Sequence, residues 1–311
     1  MKTNQDSLQR FVFENTPVRG NLVNLTQTFK QALQKQILPK GLRRALGELM
    51  AASALLSATL KMHGALVLQI QSKGPLKLLV VECSTDISGA INIRATAKWS
   101  GEIGEQVNDE HTLFDLVDHG HFMITLDPKD GGQAYQGIVP LEGDSISAVL
   151  ENYMLRSEQI DTKIWLFCDG ESAAGMLIQK LPETMNQVTQ TEDLIGHDLE
   201  TWNRVGYLAN TVTEDELLNL PTETLLTRLF NQEDIRLFEA STTSFHCSCT
   251  RENVANMLRM LGDEEITSII EELGNIEVNC DFCNHLYRFD KVDAAQLMVS
   301  ETVINSSQEI H

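Results

Sequence analysis

The chain is poor in basic residues for its size. Its 311 residues include 24 lysines and arginines against 44 aspartates and glutamates, which leaves a net charge of −20. Proteins hold the nucleic-acid backbone mainly through clustered lysine and arginine, so this balance argues against a nucleic-acid partner. The acidic excess is uneven, because residues 191–246 and 247–311 each carry a net charge of −8 whereas residues 1–190 carry only −4.

Long apolar runs are lacking as well. The amino-terminal segment MKTNQDSLQR does not contain the apolar stretch of a secretory signal. The longest uncharged helical stretch of the first half, Leu49–Leu60, is shorter than the roughly 20 apolar residues that span a bilayer. We therefore expect a cytoplasmic protein without a membrane partner.

Signatures of nucleotide-binding and hydrolytic enzymes are also missing. No GxGxxG, HExxH or GxSxG motif occurs in the sequence. Gly132 and Gly137 have the spacing of a phosphate-binding loop, but Ile138 stands where that loop needs its lysine. His119 and His121 could offer two imidazoles to a metal ion, but nothing nearby in the sequence completes a site. We expect neither ATP binding nor enzymatic activity.

Helical patterns are present in the first third of the chain. Apolar residues at spacings of three and four predict a helix over 21–38, which Pro39 and Gly41 end. A second helix is predicted over 42–62. It is apolar nearly all round and rich in alanine and serine, so we expect it to be buried.

Short β-rich runs follow, separated by Gly, Pro, Asp and Asn clusters that indicate turns. They predict strands at 66–70, 76–82, 91–97, 122–126, 135–141, 163–167 and 176–179. A third helix is predicted over 145–157, with Asp144 or Ser145 as its N-cap. We infer an α+β fold in which residues 1–185 form a core domain with a mostly antiparallel sheet that carries helices.

Residues 186–246 differ in character. Thr213 and Glu216 have the spacing of a capping box, and Pro221 is a favoured first helical residue, so two short helices are predicted. The second helix should bury Leu225, Leu226, Leu229 and Phe230. Helices this short depend on packing for their stability, and residues 191–246 repel one another through their net charge of −8. We infer a metastable acidic helical linker over 186–246.

Cysteine is scarce, but four of the six cysteines lie close together near the carboxyl end. Cys247 and Cys249 are followed after thirty residues by Cys280 and Cys283. Two close pairs separated by a foldable insert suit a tetrahedral metal site, since each turn supplies two ligands. Four thiolates select zinc, with an iron–sulfur cluster as the alternative.

The insert between the cysteine pairs has clear local signals. Residues 251–261 predict a helix ended by Gly262, and residues 263–273 predict another, capped by Asp263 and closed by Gly274. Strands at 276–278 and 286–289 then form a hairpin with Cys280 and Cys283 at its tip. We expect a zinc-binding domain over 247–295, followed by a polar tail over 296–311.

The spacing alone leaves several interpretations open. The zinc could be purely structural, in a constitutive protein-interaction module, or it could be released when the thiolates are oxidised. Cys280 and Cys283 could also act in a thiol-disulfide oxidoreductase, although that chemistry needs the pair at the start of a helix. His246 and His285 adjoin the cysteines as further possible ligands. Cys83 and Cys168 lie in apolar strand patterns and are expected to be buried, inert thiols.

Five segments carry a resemblance to a known family. They are GELMAASALLSATLK (47–61), YQGIVPLEGDSISAVLENYMLRSEQ (135–159), LLTRLFNQEDIRLFE (225–239), FHCSCTREN (245–253) and CDFCNHLYRFD (280–290). Together they resemble the heat-shock protein 33 family of redox-regulated bacterial chaperones, which are oxidation-activated holdases. The match covers nearly the whole chain, and the spacing of the four cysteines is specific to that family.

The resemblance implies a mechanism. Cys247, Cys249, Cys280 and Cys283 would bind one Zn²⁺ in the reduced, inactive state. Oxidation would pair Cys247 with Cys249 and Cys280 with Cys283, release zinc, unfold the linker and favour a homodimer. The opened protein would hold unfolding client proteins without ATP during oxidative and heat stress. Exposed apolar surface beside high solubilising charge, which the linker would provide, suits such a holdase.

Overall fold

The structure is a computed structural model that describes residues 6–59, 64–100, 112–128, 132–182 and 192–297. Strands and helices alternate through these segments. By its internal contacts the chain divides into two units, Met1–His246 and Cys247–His311. None of the described helices combines the length and the apolarity needed to cross a membrane.

The first unit contains most of the secondary structure. Its described strands are β1 (Ser7–Phe13), β2 (Val18–Leu25), β3 (Gly64–Gln71), β4 (Leu76–Thr85), β5 (Ile91–Trp99), β6 (His121–Pro128), β7 (Tyr135–Pro140), β8 (Thr162–Cys168), β9 (Ala173–Lys180), β10 (Ile235–Leu237) and β11 (Ser241–Phe245). Its described helices are α1 (Gln27–Leu33), α2 (Lys40–Ser57), α3 (Leu113–Leu116), α4 (Ile146–Arg156), α5 (Glu192–Ala209), α6 (Glu214–Asn219) and α7 (Thr222–Leu229).

These strands form an 11-stranded sheet in the order β7-β6-β3-β4-β5-β11-β1-β2-β9-β8, with β10 also paired to β1. Each of these pairs is antiparallel apart from β5 with β11. Among the described strands, β11 alone joins the half of the sheet that ends in β5 to the half that begins with β1. The predicted α+β fold with a mostly antiparallel sheet is confirmed.

Helix α2 lies at the centre of the core. It packs against strands of both halves of the sheet, including β4, β5, β8 and β9. Nearly all its side chains from Leu42 to Leu56 are buried. The prediction of a buried helix here is confirmed, although the helix begins at Lys40 and ends at Ser57. Small alanine and serine side chains let the strands approach it closely.

The helix predicted over 21–38 is wrong in its first part. Residues up to Leu25 belong to β2, and α1 occupies only Gln27–Leu33. Strand β2 is buried on both faces: Leu22 joins one apolar cluster, whereas Val23 and Leu25 join another. Because both faces of the strand need apolar residues, the spacing from position 22 onward matched a helix by coincidence.

The linker helices cover one face of the sheet. Their apolar side chains form a cluster with those of β1, β2 and β9. From the sheet come Phe11, Phe13, Val18, Leu22, Ala174, Met176 and Ile178; from the linker come Trp202, Val205, Ala209, Val212, Leu217, Leu225, Leu226, Leu229 and Phe230. The burial predicted for the α7 side chains and Phe230 is therefore confirmed.

The short linker helices begin where their capping signals predict. The Thr213 hydroxyl accepts a hydrogen bond from the Glu216 amide at 3.3 Å, and the Glu216 carboxylate accepts one from the Thr213 amide at 3.1 Å. Helix α7 begins at Thr222, directly after Pro221. The linker also contains two strands that the sequence did not predict, β10 and β11, and both pair with β1.

The second unit is small. It contains α8 (Arg251–Arg259), α9 (Asp263–Leu273) and an antiparallel hairpin of β12 (Ile276–Asn279) and β13 (Leu286–Phe289). Its apolar core comprises Val254, Ala255, Leu258, Ile266, Ile270, Ile276, Phe289, Ala294 and Leu297. Gly274 closes α9 in the left-handed conformation, as predicted, but the N-cap of α9 is Gly262 and not Asp263.

Candidate metal centre

Two tight chain segments present the four cysteines that the sequence singled out. Cys247 and Cys249 precede α8, whose first turn is capped by the Thr250 hydroxyl, which accepts from the Asn253 amide at 3.1 Å. Cys280 and Cys283 lie in the turn between β12 and β13. The Cys280 amide donates to the His285 carbonyl at 3.0 Å, which closes the turn.

The structure brings the four sulfur atoms together. The Sγ atoms of Cys247 and Cys280 are 3.6 Å apart, and those of Cys249 and Cys283 are 3.4 Å apart. All four lie within 4.8 Å of one another. A tetrahedral site with metal–sulfur bonds of about 2.3 Å spaces its sulfurs by about 3.8 Å. The cluster therefore has the size and the donor set to hold a metal ion.

Electrostatics within the cluster also favour a cation. Burial and the neighbouring thiols raise the pKa of Cys247, and they raise that of Cys283 to about 12. Burial acts in the same direction on Cys249, but hydrogen bonds from Tyr287 and the other thiols outweigh it and lower its pKa to about 7. Four thiols at this distance cannot all ionise unaided, and a divalent cation supplies the compensating charge.

Tyr287 is a site residue that the sequence analysis missed. Its hydroxyl donates a hydrogen bond to Cys249 Sγ at 3.2 Å, and this bond raises the pKa of Tyr287 to about 12. Its ring also meets the His285 ring edge-on, with centroids 4.6 Å apart. The hairpin register pairs Tyr287 with Val278, one pair away from the cysteine turn, but the sequence carries no signal of its contact with Cys249.

Arg251 connects the two halves of the site. Its guanidinium donates to the Arg288 carbonyl and to the Asp293 carboxylate, both at 2.7 Å. It also lies over the Phe289 ring, 4.2 Å from the centroid. Because Arg251 follows the first cysteine pair and Phe289 follows the second, these contacts hold the two cysteine-bearing segments in position.

Other candidate residues lie outside the cluster. Within the described part of the chain, the metal-capable group contains neither His246 nor His285. Cys83 and Cys168 are buried, as predicted, and burial raises their pKa values to about 11 and about 12. Gly137 lies within strand β7, so its spacing from Gly132 does not create a phosphate-binding loop.

Comparison with known proteins agrees with this geometry. The family model described as Hsp33 protein matches residues 6–290. A protein of Methylobacillus flagellatus named 33 kDa chaperonin is 56% identical over 307 residues, which cover 98% of this chain and 99% of that protein. The 33 kDa chaperonin of Chromobacterium violaceum is 46% identical over 309 residues, covering 98% of each chain.

The fold is shared with a solved relative. The crystal structure of the 33 kDa chaperonin from Thermotoga maritima superimposes with a TM-score of 0.77, covering 96% of this chain and 100% of that chain at 18% identity. The full-length sequence matches, the four-cysteine cluster and the shared fold agree with the resemblance drawn from the sequence. The chain belongs to the Hsp33 family.

Proposed function

We propose that this protein is a redox-regulated, ATP-independent molecular chaperone of the cytoplasm and not an enzyme. It would bind unfolding proteins and protect them from aggregation during oxidative and heat stress. Membership of the Hsp33 family and the chaperonin names of the relatives support this function. The mechanism is supported above all by the apolar cluster between the linker and the sheet. This cluster buries a large hydrophobic surface that an opened linker would expose.

In the reduced state Cys247, Cys249, Cys280 and Cys283 would hold one Zn²⁺. When bound, the ion supplies a positive charge that keeps all four thiols ionised. Structural zinc contributes roughly 10 to 16 kcal/mol to the folding of small domains. The second unit has a small apolar core, so we expect its fold to depend on the metal.

Oxidation would remove the ligands in pairs. Peroxide accepts two electrons from each pair of thiolates, its O–O bond breaks, and two protons from solvent complete two waters. The disulfides would join Cys247 with Cys249 and Cys280 with Cys283, a pairing taken from the family resemblance. A disulfide sulfur is a poor zinc ligand, so the ion would leave and the second unit would lose its fold.

Loss of order would then reach the linker. Cys247 follows β11 after a single residue, His246, so the linker would lose its ordered neighbour in the chain. Residues 191–246 carry a net charge of −8, whose self-repulsion weakens docking, so we expect the linker to open before the rest of the first unit. We propose that the opened protein forms a homodimer and holds clients on the exposed apolar surface.

A zinc and aggregation assay tests this function. The reduced protein is treated with peroxide under mildly unfolding conditions, while a chromogenic chelator reports zinc and light scattering reports a heat-denatured client. We expect zinc release and suppression of aggregation to rise together. Cys83→Ala and Cys168→Ala are matched controls that should behave as the unchanged protein, whereas Cys249→Ser should weaken zinc binding. Zinc that stays bound, or leaves without suppression of aggregation, would contradict the proposal.

The same preparation separates a holdase from an oxidoreductase. Cys280 and Cys283 lie between two strands and not at the start of a helix, where a catalytic Cys-x-x-Cys pair is normally activated. A holdase acts stoichiometrically and should not turn over dithiol substrates. Steady catalytic reduction of insulin by the purified protein would contradict the holdase function.

A further inference from the structure

One edge of strand β1 is occupied entirely by the linker. On its other edge β1 pairs with β2, from Ser7 to Val12. On the linker side, β10 lies opposite Phe11–Phe13 and β11 lies opposite Ser7 and Leu8. Opening of the linker would therefore remove a complete row of backbone partners from a strand that belongs to the core sheet.

The hydrogen bonds identify which amides of β1 face the linker. The Glu14 amide donates to the Asp234 carbonyl at 2.8 Å, and the Phe238 amide donates to the Arg10 carbonyl at 3.0 Å. Backbone groups of successive residues in an antiparallel strand point to alternate edges. The amides of Arg10, Val12 and Glu14 thus face β10, whereas those of Gln9, Phe11 and Phe13 face β2.

Two buried aromatic side chains of β1 lie next to this edge. Phe11 and Phe13 are 1% and 2% exposed, and in the register they lie opposite Leu237 and Ile235. These are the non-hydrogen-bonded pairs of the ladder, in which side chains approach most closely. The segment that fills the edge is therefore short and extended, with aliphatic residues at alternate positions, which is the chemistry of an exposed segment in an unfolding protein.

The segment is held by few contacts of its own. Strand β10 has three residues, and Leu237 and Phe238 are more than a third exposed. Beyond the ladder, the Gln9 side-chain amide donates to the Phe238 carbonyl, and Arg236 forms an exposed ion pair with Glu14 at 2.7 Å. The Phe238 ring lies near the guanidinium groups of Arg10 and Arg236. A strand this short adds little stability by itself, so a longer apolar segment could replace it once the linker opens.

We propose that the edge of β1 covered by β10 is a client-binding site. Once the linker opens, this edge would bind an extended segment of an unfolding protein by strand addition. The inference rests on the proposed function, because the edge is free only when the linker has opened. Main-chain hydrogen bonds would provide affinity that tolerates many sequences, and Phe11 and Phe13 would favour aliphatic residues at alternate positions. An unpaired edge beside exposed apolar side chains is a ready template for such pairing.

Amide hydrogen exchange resolved to single residues tests the proposal on the full-length protein. The probe is reduced, carboxymethylated α-lactalbumin, a permanently unfolded protein. In the reduced zinc-bound state, the amides of Val12 and Glu14 should exchange slowly, because both are bonded to the linker. Oxidation without the probe should accelerate these two at least 100-fold. Binding of the probe should slow them again at least tenfold, while Phe11 and Phe13 stay slow in all three states.

The outcomes distinguish failure of the proposed function from failure of strand addition. If the two amides stay protected after oxidation and zinc release, the linker has not opened there and the proposed function fails. If these amides exchange fast after oxidation and still do so when the probe co-elutes with the protein, strand addition is wrong and the client binds elsewhere. Protection that rises with protein concentration in the absence of the probe would also overturn the proposal, since a second copy would then fill the edge.

Two variants of Val12 separate the effect of losing a main-chain hydrogen bond from the effect of loosening the linker. Val12→Pro removes the amide that faces β10, whereas Val12→Ala keeps it and removes only side-chain contacts. Both changes should loosen the linker, but only Val12→Pro should weaken binding of the probe by the oxidised protein, at least tenfold. Equal affinities for the two oxidised variants would contradict strand addition. The exchange experiment does not depend on whether the proline variant folds.

Discussion

Replacing Phe230 by alanine tests whether packing of the linker controls activity. The Phe230 side chain is 1% exposed and meets the Phe13 ring edge-on, with centroids 5.1 Å apart. Truncating a buried phenylalanine to alanine typically destabilises by about 3 to 5 kcal/mol. At about 1.4 kcal/mol per tenfold, opening of the linker should become roughly 100- to 4,000-fold more favourable.

The assay measures opening and activity in the same samples. Amide exchange in α7 reports opening, and light scattering of a heat-denatured client reports chaperone activity, both with reduced, zinc-loaded protein. We expect the Phe230→Ala variant to suppress aggregation without any oxidant, because the linker no longer needs loss of zinc to open. Tyr207→Ala is the matched control, since this aromatic side chain of the linker helix α5 is 75% exposed and little packing is lost.

A graded change guards against simple misfolding. Phe230→Leu retains most of the buried volume, so it should raise exchange and reduced-state activity by less than the alanine change. Circular dichroism and zinc content check that the core and the metal site are intact. A folded, zinc-loaded variant whose α7 exchanges faster by the expected factor, and which still does not suppress aggregation of the client, would show that linker packing does not control activity.

Two further predictions concern single side chains. Glu48 is partly buried. Desolvation raises the pKa of its carboxyl from 4.5 to about 7; Arg44 opposes this shift and Glu214 adds to it. A carboxyl whose pKa is raised by folding stabilises the fold fully below its unfolded pKa and loses that contribution as pH rises through its folded pKa, here about 3 kcal/mol. Stability in urea should therefore fall between about pH 4.5 and pH 7 and then level off. Glu48→Gln should flatten this decline, whereas the exposed Glu142→Gln should not. Tyr287→Phe removes the hydrogen bond to Cys249, so zinc affinity measured by chelator competition should fall about tenfold while the fold is retained; an unchanged affinity would show that this hydrogen bond does not tune the site.

The sequence correctly predicted the elements that are fixed by residues a few positions apart. Ser145 caps α4 by accepting from the Ala148 amide at 3.1 Å, as one of two expected caps. The capping box at Thr213 and the left-handed Gly274 are likewise set by residues a few positions apart. The cysteine hairpin belongs to the same class, since its turn residues and alternating strands are adjacent in sequence. The four-cysteine cluster could be predicted for that reason.

Elements that depend on distant partners could not be predicted. Strand β11 has the sequence STTSF, which shows no apolar alternation, and it becomes a strand because β5 and β1 both offer it hydrogen-bonding edges. Strand β10 is only three residues long and is defined by its register against β1. Tyr287 was missed for a related reason, because its role depends on contact with Cys249, 38 positions away in the chain.

The distribution of charge is the reason we expect the linker to be the part that opens. Residues 191–246 contain three basic and eleven acidic residues, and each of the three arginines is already in an ion pair. Arg204 pairs with Glu233 and Arg228 with Glu216 inside the linker, whereas Arg236 pairs with Glu14 of the core. The Arg204–Glu233 pair is bidentate, and its carboxylate is only 10% exposed. The other pairs are surface pairs worth about 0 to 1 kcal/mol each, and Glu214 forms one more of them with Arg44 of the core. The remaining carboxylates repel one another over distances of roughly 8 to 10 Å. Docking therefore depends mainly on the apolar cluster, and we expect its stability to be set by the balance between burial and repulsion. The same repulsion would keep the opened segment in solution, because a chain with a net charge of −8 resists collapse onto its own exposed leucines.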